Sequence, residues 1–340
     1  MIKTSHPGLK RLLRLGSILA LSGPAFGAGE MAPAADLVSD RSEVFTLSDS
    51  DRPGAWCWFQ DERAVVDAGA PGGPKLLTGV VTYAPEGSEA RGDIDLYWLD
   101  LDSVGAGGDL RMGRFELDDR LQMDDHNSPS ILVREDGRYL TAWTKHGNDQ
   151  VIRTRISERP HDPAAWEPTR IHDRTAKGGT TYTNLLPLPG SGALGRIFMG
   201  VRARGFDNQA LYSDDGGVTW RYGGWLIDQP DPMPESTDGG RSYVLYAGNG
   251  GERIYLLCTD DHPRVRFDEA RKNPGELLNS VYSGYLEDGV LYRMDGSVAD
   301  ESVREDPAPG PWELTPVMMD GAVVDGVTMR RAWVVDFNLA

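Results

Sequence analysis

Arg196-Ile197-Phe198-Met199-Gly200-Val201-Arg202-Ala203 is followed, after five residues, by Gln209-Ala210-Leu211-Tyr212 and then by Ser213-Asp214-Asp215-Gly216-Gly217-Val218-Thr219-Trp220. The first two runs are short and apolar, bounded by glycine and aspartate, and read as β-strands. The third has the pattern Ser-x-Asp-x-Gly-x-Thr-Trp. A carboxylate there ties a tight hairpin turn, glycine permits the bend, and tryptophan packs between sheets. Strand, strand and tied turn within 25 residues predict an antiparallel all-β fold.

The rest of the chain repeats this texture. AWCWFQDERAVVD (55–67), KLLTGVVTYA (75–84), DIDLYWLDL (93–101), SILVRE (130–135), YLTAWTKH (139–146) and VIRTRIS (151–157) precede the quoted stretch, with NLLPL (184–188). TWRYG (219–223), YVLYAG (243–248), RIYLLCTD (253–260), SVYSGYLED (280–288) and VLYRMDG (290–296) follow it. The 41 glycines and 22 prolines supply the punctuation. No helical period lasts beyond a turn or two, and only His161–Trp166 suggests a short helical turn. Evenly spaced strands over this length favour the radial repetition of a β-propeller over a two-sheet sandwich. The tied turn matches the Asp-box, which recurs in sialidase-like and related propellers, usually far from the active face; its residues are expected to be structural. From Trp56 to Phe337 there is room for about five or six blades of roughly 45–50 residues. The end, Ala332-Trp333-Val334-Val335-Asp336-Phe337-Asn338, reads as a strand just beginning, as in an incomplete propeller.

Residues 1–27 look like a signal peptide. Lys3, Lys10, Arg11 and Arg14 precede the mostly apolar run Leu15–Leu21, and small residues follow. Residues 28–53 read as irregular and 54–340 as the propeller domain, in a secreted or periplasmic protein. Removal of four basic and no acidic residues takes the net charge from −17 to −21. Such a balance argues against nucleic acid and anionic membrane as partners, and an anionic substrate would need a local basic patch. Cys57 and Cys258 are the only cysteines; a disulfide or two buried thiols are both compatible with export.

Two histidines are candidates for chemistry. His126 in DDHNSPSILV and His146 in YLTAWTKHGND each sit at the edge of a strand pattern, and Glu135-Asp136-Gly137-Arg138 should join those strands as a hairpin. Two imidazoles at one end of a sheet suit proton transfer near neutrality.

An ordered set of stretches resembles the BNR-repeat propellers that include the ulvan lyases. They are WCWFQDERAVV (56–66), GDIDLYWLDLD (92–102), LQMDDHNSPSILVREDGRYLTAWTKH (121–146), TTYTNLLPL (180–188) and RIFMGVRARG (196–205). The Asp-box, SYVLYAGNGGERIYLLCTDDHPR (242–264) and NSVYSGYLEDGVLYRMDG (279–296) complete the set. The resemblance implies a seven-bladed propeller, more blades than this chain can be seen to hold. It also implies a lyase that cleaves a uronate polysaccharide, acting here as a monomer on an anionic glycan. Carried over by motif, the catalytic residues would be His126, His146, Tyr182 and Arg202, with Arg204 a rival for the last. Asn127, Lys145, Asn184 and Arg204 would bind substrate.

Lyase chemistry accounts for such a set. The proton at C5 of a uronate is removed and the bond at C4 breaks. An arginine fork on the carboxylate would lower the barrier, and an acid/base pair contributes about 10²–10⁴-fold. Either histidine, or Tyr182, is a candidate base; Tyr182 is also a candidate acid. Lys145, Arg153, Arg155, Arg202 and Arg204 could form a basic cleft. No cofactor is needed. A structural zinc at Cys258 and His262 is admissible, as is calcium at Asp124-Asp125 or Asp93/Asp95. The rival functions are a noncatalytic glycan-binding propeller and a sialidase-like hydrolase, the latter disfavoured because no Arg-Ile-Pro motif occurs.

Overall fold

The computed structural model describes residues 46–48, 50–57, 59, 63–104, 109–147, 149–173, 179–190, 193–203, 207–228, 242–260, 279–305, 307–329, 332, 334, 336–337 and 339. The signal-peptide reading, and the irregular segment up to residue 45, lie outside them. Residues 47–339 form one compact unit.

That unit is all-β, as expected. The first sheet holds β1 (Gly54–Ala55), β2 (Ala64–Asp67), β3 (Lys75–Thr82), β4 (Ile94–Asp100) and β5 (Met112–Asp118). The second is the meander β6 (Ser130–Val133), β7 (Tyr139–Trp143), β8 (Val151–Ile156) and β9 (Arg170–Asp173). The third is the meander β10 (Thr181–Leu188), β11 (Arg196–Ala203), β12 (Asp207–Ser213) and β13 (Arg221–Ile227). The fourth contains β14 (Val244–Gly248), β15 (Ile254–Thr259), β16 (Val281–Glu287), β17 (Val290–Arg293), β18 (Val298–Asp300) and β19 (Thr315–Met318). A separate hairpin pairs β20 (Val323–Val324) with β21 (Val327–Thr328).

Four larger sheets among the described residues are fewer than the five or six blades expected. The first and fourth sheets take five and six strands, and the C-terminal segment adds only a two-stranded hairpin. The expected helical turn at His161–Trp166 is a non-helical loop, closed by a bridge between Ser157 and Trp166.

Alternation along the strands explains the packing. Ile197, Met199 and Val201 on β11, with Leu185 on β10, meet Leu132, Leu140 and Ile152 of the second sheet. Phe198, one residue out of phase, joins Tyr246, Leu256 and Leu286 on the side of the fourth sheet. Strands buried on both faces lose polar positions and read as continuous apolar runs. Each large apolar side chain so buried stabilises by about 1.5–3 kcal/mol. Gly200 is required by this contact, since a Cβ there would press into the Tyr246 ring. Between the first and second sheets, Leu77, Ile94, Leu96 and Leu117 meet Ile131, Tyr139, Trp143 and Trp166. A polar staple crosses the same junction: the Tyr139 hydroxyl donates to Asp67 Oδ2 at 2.7 Å, and His161 Nδ1 lies 2.6 Å from that oxygen.

The two hairpin expectations hold. Ser130–Val133 pairs antiparallel with Tyr139–Ala142, and Gly137 (φ +76°) turns the chain between them. In the 212–220 turn, Asp215 Oδ1 accepts from Ser213 Oγ, Val218 N–H and Thr219 N–H at 2.8, 3.1 and 2.9 Å, and Oδ2 accepts from Thr219 Oγ1 at 2.6 Å. Gly216 and Gly217 have φ of +73° and +92°, and Trp220 packs against the core between the second and third sheets. Asp215→Ala removes all four bonds at an exposed turn and is expected to cost about 1–2 kcal/mol. Urea unfolding checks this; an unchanged midpoint would show the turn holds without its carboxylate.

Candidate active site

The site grows from the start of β6 and the end of β7. Asp124 caps a single 3-10 turn, Asp125–Asn127, by accepting the His126 N–H at 3.1 Å. Pro129 then returns the chain to extended backbone for β6. His146 follows β7, and its N–H donates to Gln122 Oε1 at 3.0 Å. Gly147 (φ +66°) turns the chain away, its N–H donating to Thr181 Oγ1 at 3.0 Å.

One carboxylate serves both imidazoles. His126 Nδ1 lies 2.5 Å from Asp124 Oδ1, and His146 Nδ1 lies 2.8 Å from Asp124 Oδ2. His126 Nδ1 is also 2.8 Å from Asp125 Oδ1. The two rings stack with centroids 3.9 Å apart and planes 7° apart. An ionised carboxylate only accepts, so each Nδ1 carries a proton and donates it. Nε2 is then the basic atom of His146.

The electrostatics follow from this. Burial works to raise the Asp124 pKa. Hydrogen bonds from both imidazoles and from the His126 N–H outweigh it and hold the carboxyl well below its usual range. Burial works against charge on His126, yet the bonds from Asp124 and Asp125 prevail, and its pKa is raised above the ordinary 6.5. His126 therefore keeps its positive charge to higher pH than a free histidine.

Tyr182 stands beside this pair, its ring centroid 5.3 Å from that of His126. It has φ +57°, at a bulge where β10 shifts register against β11 between Thr181 and Thr183. A bulky aromatic residue in the left-handed region is strained and persists only where its surroundings hold it. Phe59 and Tyr243 supply that support, each with its ring centroid 6.0 Å from that of Tyr182 and the two 4.2 Å from one another. Tyr182 is only 5 % exposed. Burial raises its pKa well above 10, opposed by the positive charge of Arg202.

Several expected roles are corrected by burial. Arg202 is 3 % exposed and its guanidinium carbon lies 4.6 Å from the centre of the Tyr182 ring, so it sits behind Tyr182 rather than open to a sugar carboxylate. Asn127 is fully buried, with its amide donating to the Gln122 carbonyl at 3.0 Å. Asn184 is equally interior, its amide donating to the Gly200 carbonyl at 3.3 Å. Tyr182, Arg202 and Asn184 line a cavity of about 10 Å³, room for one water and no sugar. Lys145 is partly exposed beside His146, whereas Arg204 lies outside the described residues. Among the described residues the expected basic cleft does not assemble. Arg153 pairs with Asp149 at 2.8 Å, and Arg155 donates to Thr169 Oγ1 over the Phe115 ring.

The metal expectations are also redrawn. Cys57 and Cys258 are both free and buried. Cys258 lies in the apolar junction of the third and fourth sheets, where burial raises its thiol pKa and disfavours the thiolate a zinc would need. His262 is outside the described residues. Asp93 and Asp95 are held by Arg52 and Arg114, at 2.5 and 2.6 Å, rather than open to calcium. Asp124, His126 and His146 do bring three ligand atoms within 4.8 Å. Their rings lie in nearly parallel planes, 7° apart with centroids 3.9 Å apart, so no ion about 2 Å from each Nδ1 lies in both planes.

Asp124, which holds both histidines, was read in the sequence only as a candidate calcium ligand, and Gln122, which accepts the His146 N–H, was not recognised as a site residue. The signal for Asp124 was its place two residues before His126, a capping position. Nothing marked Tyr243.

An all-β protein of antiparallel meanders, carrying a carboxylate-bound histidine pair at strand ends, is the class that fold and site define. Residues 107–266, just under half of the chain, match the model of BNR repeat-containing family members, and the fold is that of a β-propeller. It is similar in structure to an ulvan lyase solved with bound -[GlcA(1-4)Rha3S]-, described as a new family of polysaccharide lyase, with TM-score 0.56 and 15% identity. The match covers 81% of this chain and 62% of that one. A second structure of an ulvan lyase, similarly described, gives TM-score 0.55 at the same identity and coverage. A Trypanosoma rangeli sialidase in complex with sialic acid gives TM-score 0.37 at 14% identity, covering 72% of this chain and 38% of that one. No curated protein matches by sequence. The chain thus spans less than two thirds of the ulvan lyase it resembles. Among the described residues, no helix is long and apolar enough to cross a membrane.

Proposed function

We propose that the protein is a secreted polysaccharide lyase that cleaves a uronate-containing, ulvan-like polysaccharide by β-elimination. The observation that carries this reading is the stacked pair His126 and His146 on the single carboxylate of Asp124, with Tyr182 beside it. The glucuronate in the fragment bound to the similar lyase supports the substrate class.

Roles follow from charge and burial. His126, charged to higher pH than usual, offers a cation to the uronate carboxylate, the work the sequence reading assigned to Arg202. His146, with Nδ1 fixed by Asp124, takes the C5 proton at Nε2. The electron pair released at C5 forms the C4–C5 double bond as the bond from C4 to the glycosidic oxygen breaks. Tyr182, kept protonated by burial, passes its proton to the departing oxygen through the single water its cavity has room for, and Arg202 behind its ring favours the phenolate that results.

Incubation with ulvan and other uronate polysaccharides tests the proposal. The expected product has an unsaturated, ultraviolet-absorbing end. New reducing ends without that absorbance would make the protein a hydrolase, and binding without cleavage would make it a noncatalytic glycan-binding propeller.

A further inference from the structure

A second pocket lies at the other end of the third and fourth sheets. Its cavity of about 160 Å³ is lined by Leu188, Pro189, Ile254 and Leu286 together with charged groups. Those groups are Arg196, Arg221 and Arg304, with Glu252 and Asp288, around Tyr212. Arg196 and Arg202 are six residues apart on β11, so the pocket is about 20 Å along the strand from the site at Tyr182.

The arginines are arranged in advance. Asp214, in the tied turn, accepts Arg196 Nε at 2.5 Å on one oxygen and Arg221 Nε at 3.1 Å on the other. Holding both by Nε fixes the planes of the two guanidinium forks. The Arg221 guanidinium carbon lies 5.0 Å from the centre of the Tyr212 ring, and that of Arg196 lies 6.0 Å from it. Arg304 has no ion pair among the described residues and is exposed. Its position is set by Val303, which is fully buried in the junction of the two sheets. Val303 N–H donates to the Gly289 carbonyl at 3.0 Å, and its carbonyl accepts from Trp225 N–H at 2.5 Å. Gly224 (φ +139°) permits that approach, because a Cβ there would strike the Val303 carbonyl.

Size and lining point to one kind of ligand. A cavity of roughly 150 Å³ accommodates a single six-membered ring. A lining that mixes apolar and polar side chains suits a pyranose, whose faces are apolar and whose rim is hydroxylated. Arginine forks recognise carboxylate and sulfate oxygens in pairs, while Glu252 and Asp288 accept from hydroxyls. Asp214, Glu252 and Asp288 balance the charge of the three arginines, and because Asp214 engages Arg196 and Arg221, Arg304 is the fork left to meet an anion.

We infer that this pocket is a second glycan-binding site, taking one acidic sugar residue, a hexuronate or a sulfated hexose, independently of the histidine site. It would hold the protein on an anionic polysaccharide while the other end of the sheets remains open.

Binding is tested on the full chain carrying His126→Ala, which keeps the histidine site out of the measurement. Titration with methyl β-D-glucuronide, glucose 6-sulfate, glucose and inorganic sulfate follows perturbation of the tryptophan and tyrosine signals. At least one acidic sugar is expected to bind saturably and at least tenfold more tightly than glucose. Adding Arg304→Glu should weaken it at least tenfold, the range expected for loss of a charge-assisted contact. Arg304→Glu alone should leave cleavage of soluble substrate unchanged, so the two sites fail or succeed separately. Four results would each overturn the inference: no saturable binding of either acidic sugar, equal binding of glucose, equal binding of inorganic sulfate (an adventitious ion only), or indifference to Arg304→Glu.

Discussion

His146→Ala is expected to lower turnover of a uronate polysaccharide by about 10²–10⁴-fold while the protein stays folded. The substitution removes the group proposed to take the C5 proton. It leaves Asp124 and His126 bound to each other at 2.5 Å. His146 is partly exposed beyond the end of β7, so its loss opens no cavity in the sheets. The effect should fall on kcat, because the base acts only as the proton moves. His126→Ala should differ in kind, raising KM as well, since the charge meeting the carboxylate is lost from both the bound substrate and the transition state. Product absorbance gives the rates, and circular dichroism with thermal unfolding monitors the fold. Undiminished turnover in the His146 variant would sink the role given to that imidazole.

Asp124→Asn is expected to reduce activity by about 10²-fold or more, because an amide cannot accept from both Nδ1 atoms at once and one ring loses its orientation. It also has a pH signature in stability. The folded Asp124 pKa lies below its unfolded value of about 3.9, so its contribution is present above that pH and is lost as pH falls through the folded value. The folded His126 pKa lies above 6.5, so its contribution is fully present below 6.5 and is lost as pH rises through the folded value. The interaction therefore stabilises most between about pH 4 and 6.5. Both side chains are one-quarter exposed, and solvent screening keeps the net gain to about 2 kcal/mol. Urea unfolding at pH 5.5 and pH 9 should show the variant losing more stability at the lower pH. An equal loss at both would mean that Asp124 acts through packing alone.

Much of the sheet structure was legible because it is local. Alternating or short apolar runs placed β6, β7, β10 and β11, and turn residues at 135–138 and 214–219 joined their neighbours into hairpins. Two histidines flanking one hairpin had to share an end of it, and they do. Their common carboxylate was less visible. In the sequence Asp124 is one acid of a pair, equally suited to a solvated turn or a calcium site. Only closure of the hairpin brings His146, 22 residues away, to its second oxygen.

The residues misjudged all depend on depth. Arg202 and Asn184 lie on strands buried on both faces, where alternation chooses between two interiors and offers no solvent side. Asn127 follows His126 directly, yet the 3-10 turn sends one side chain toward Tyr182 and the other to the Gln122 carbonyl. The same limit applies to charge. Arg153 and Arg155 were assigned to a cleft, but they reach Asp118 and Phe115 of β5 on the first sheet.

By itself, then, the sequence determined the all-β class, the hairpins, the tied turn at Asp215 and the shared strand end of the two histidines. Each of these depends on residues within about 20 positions, through backbone preference and the two-residue period of a strand. Tertiary structure decided that Asp124 binds both imidazoles, that Arg202 backs Tyr182 instead of facing solvent, and that Arg196, Arg221 and Arg304 gather at the opposite end. Those outcomes depend on how sheets stack face to face, which sets burial and charge neighbours among residues that no local pattern connects.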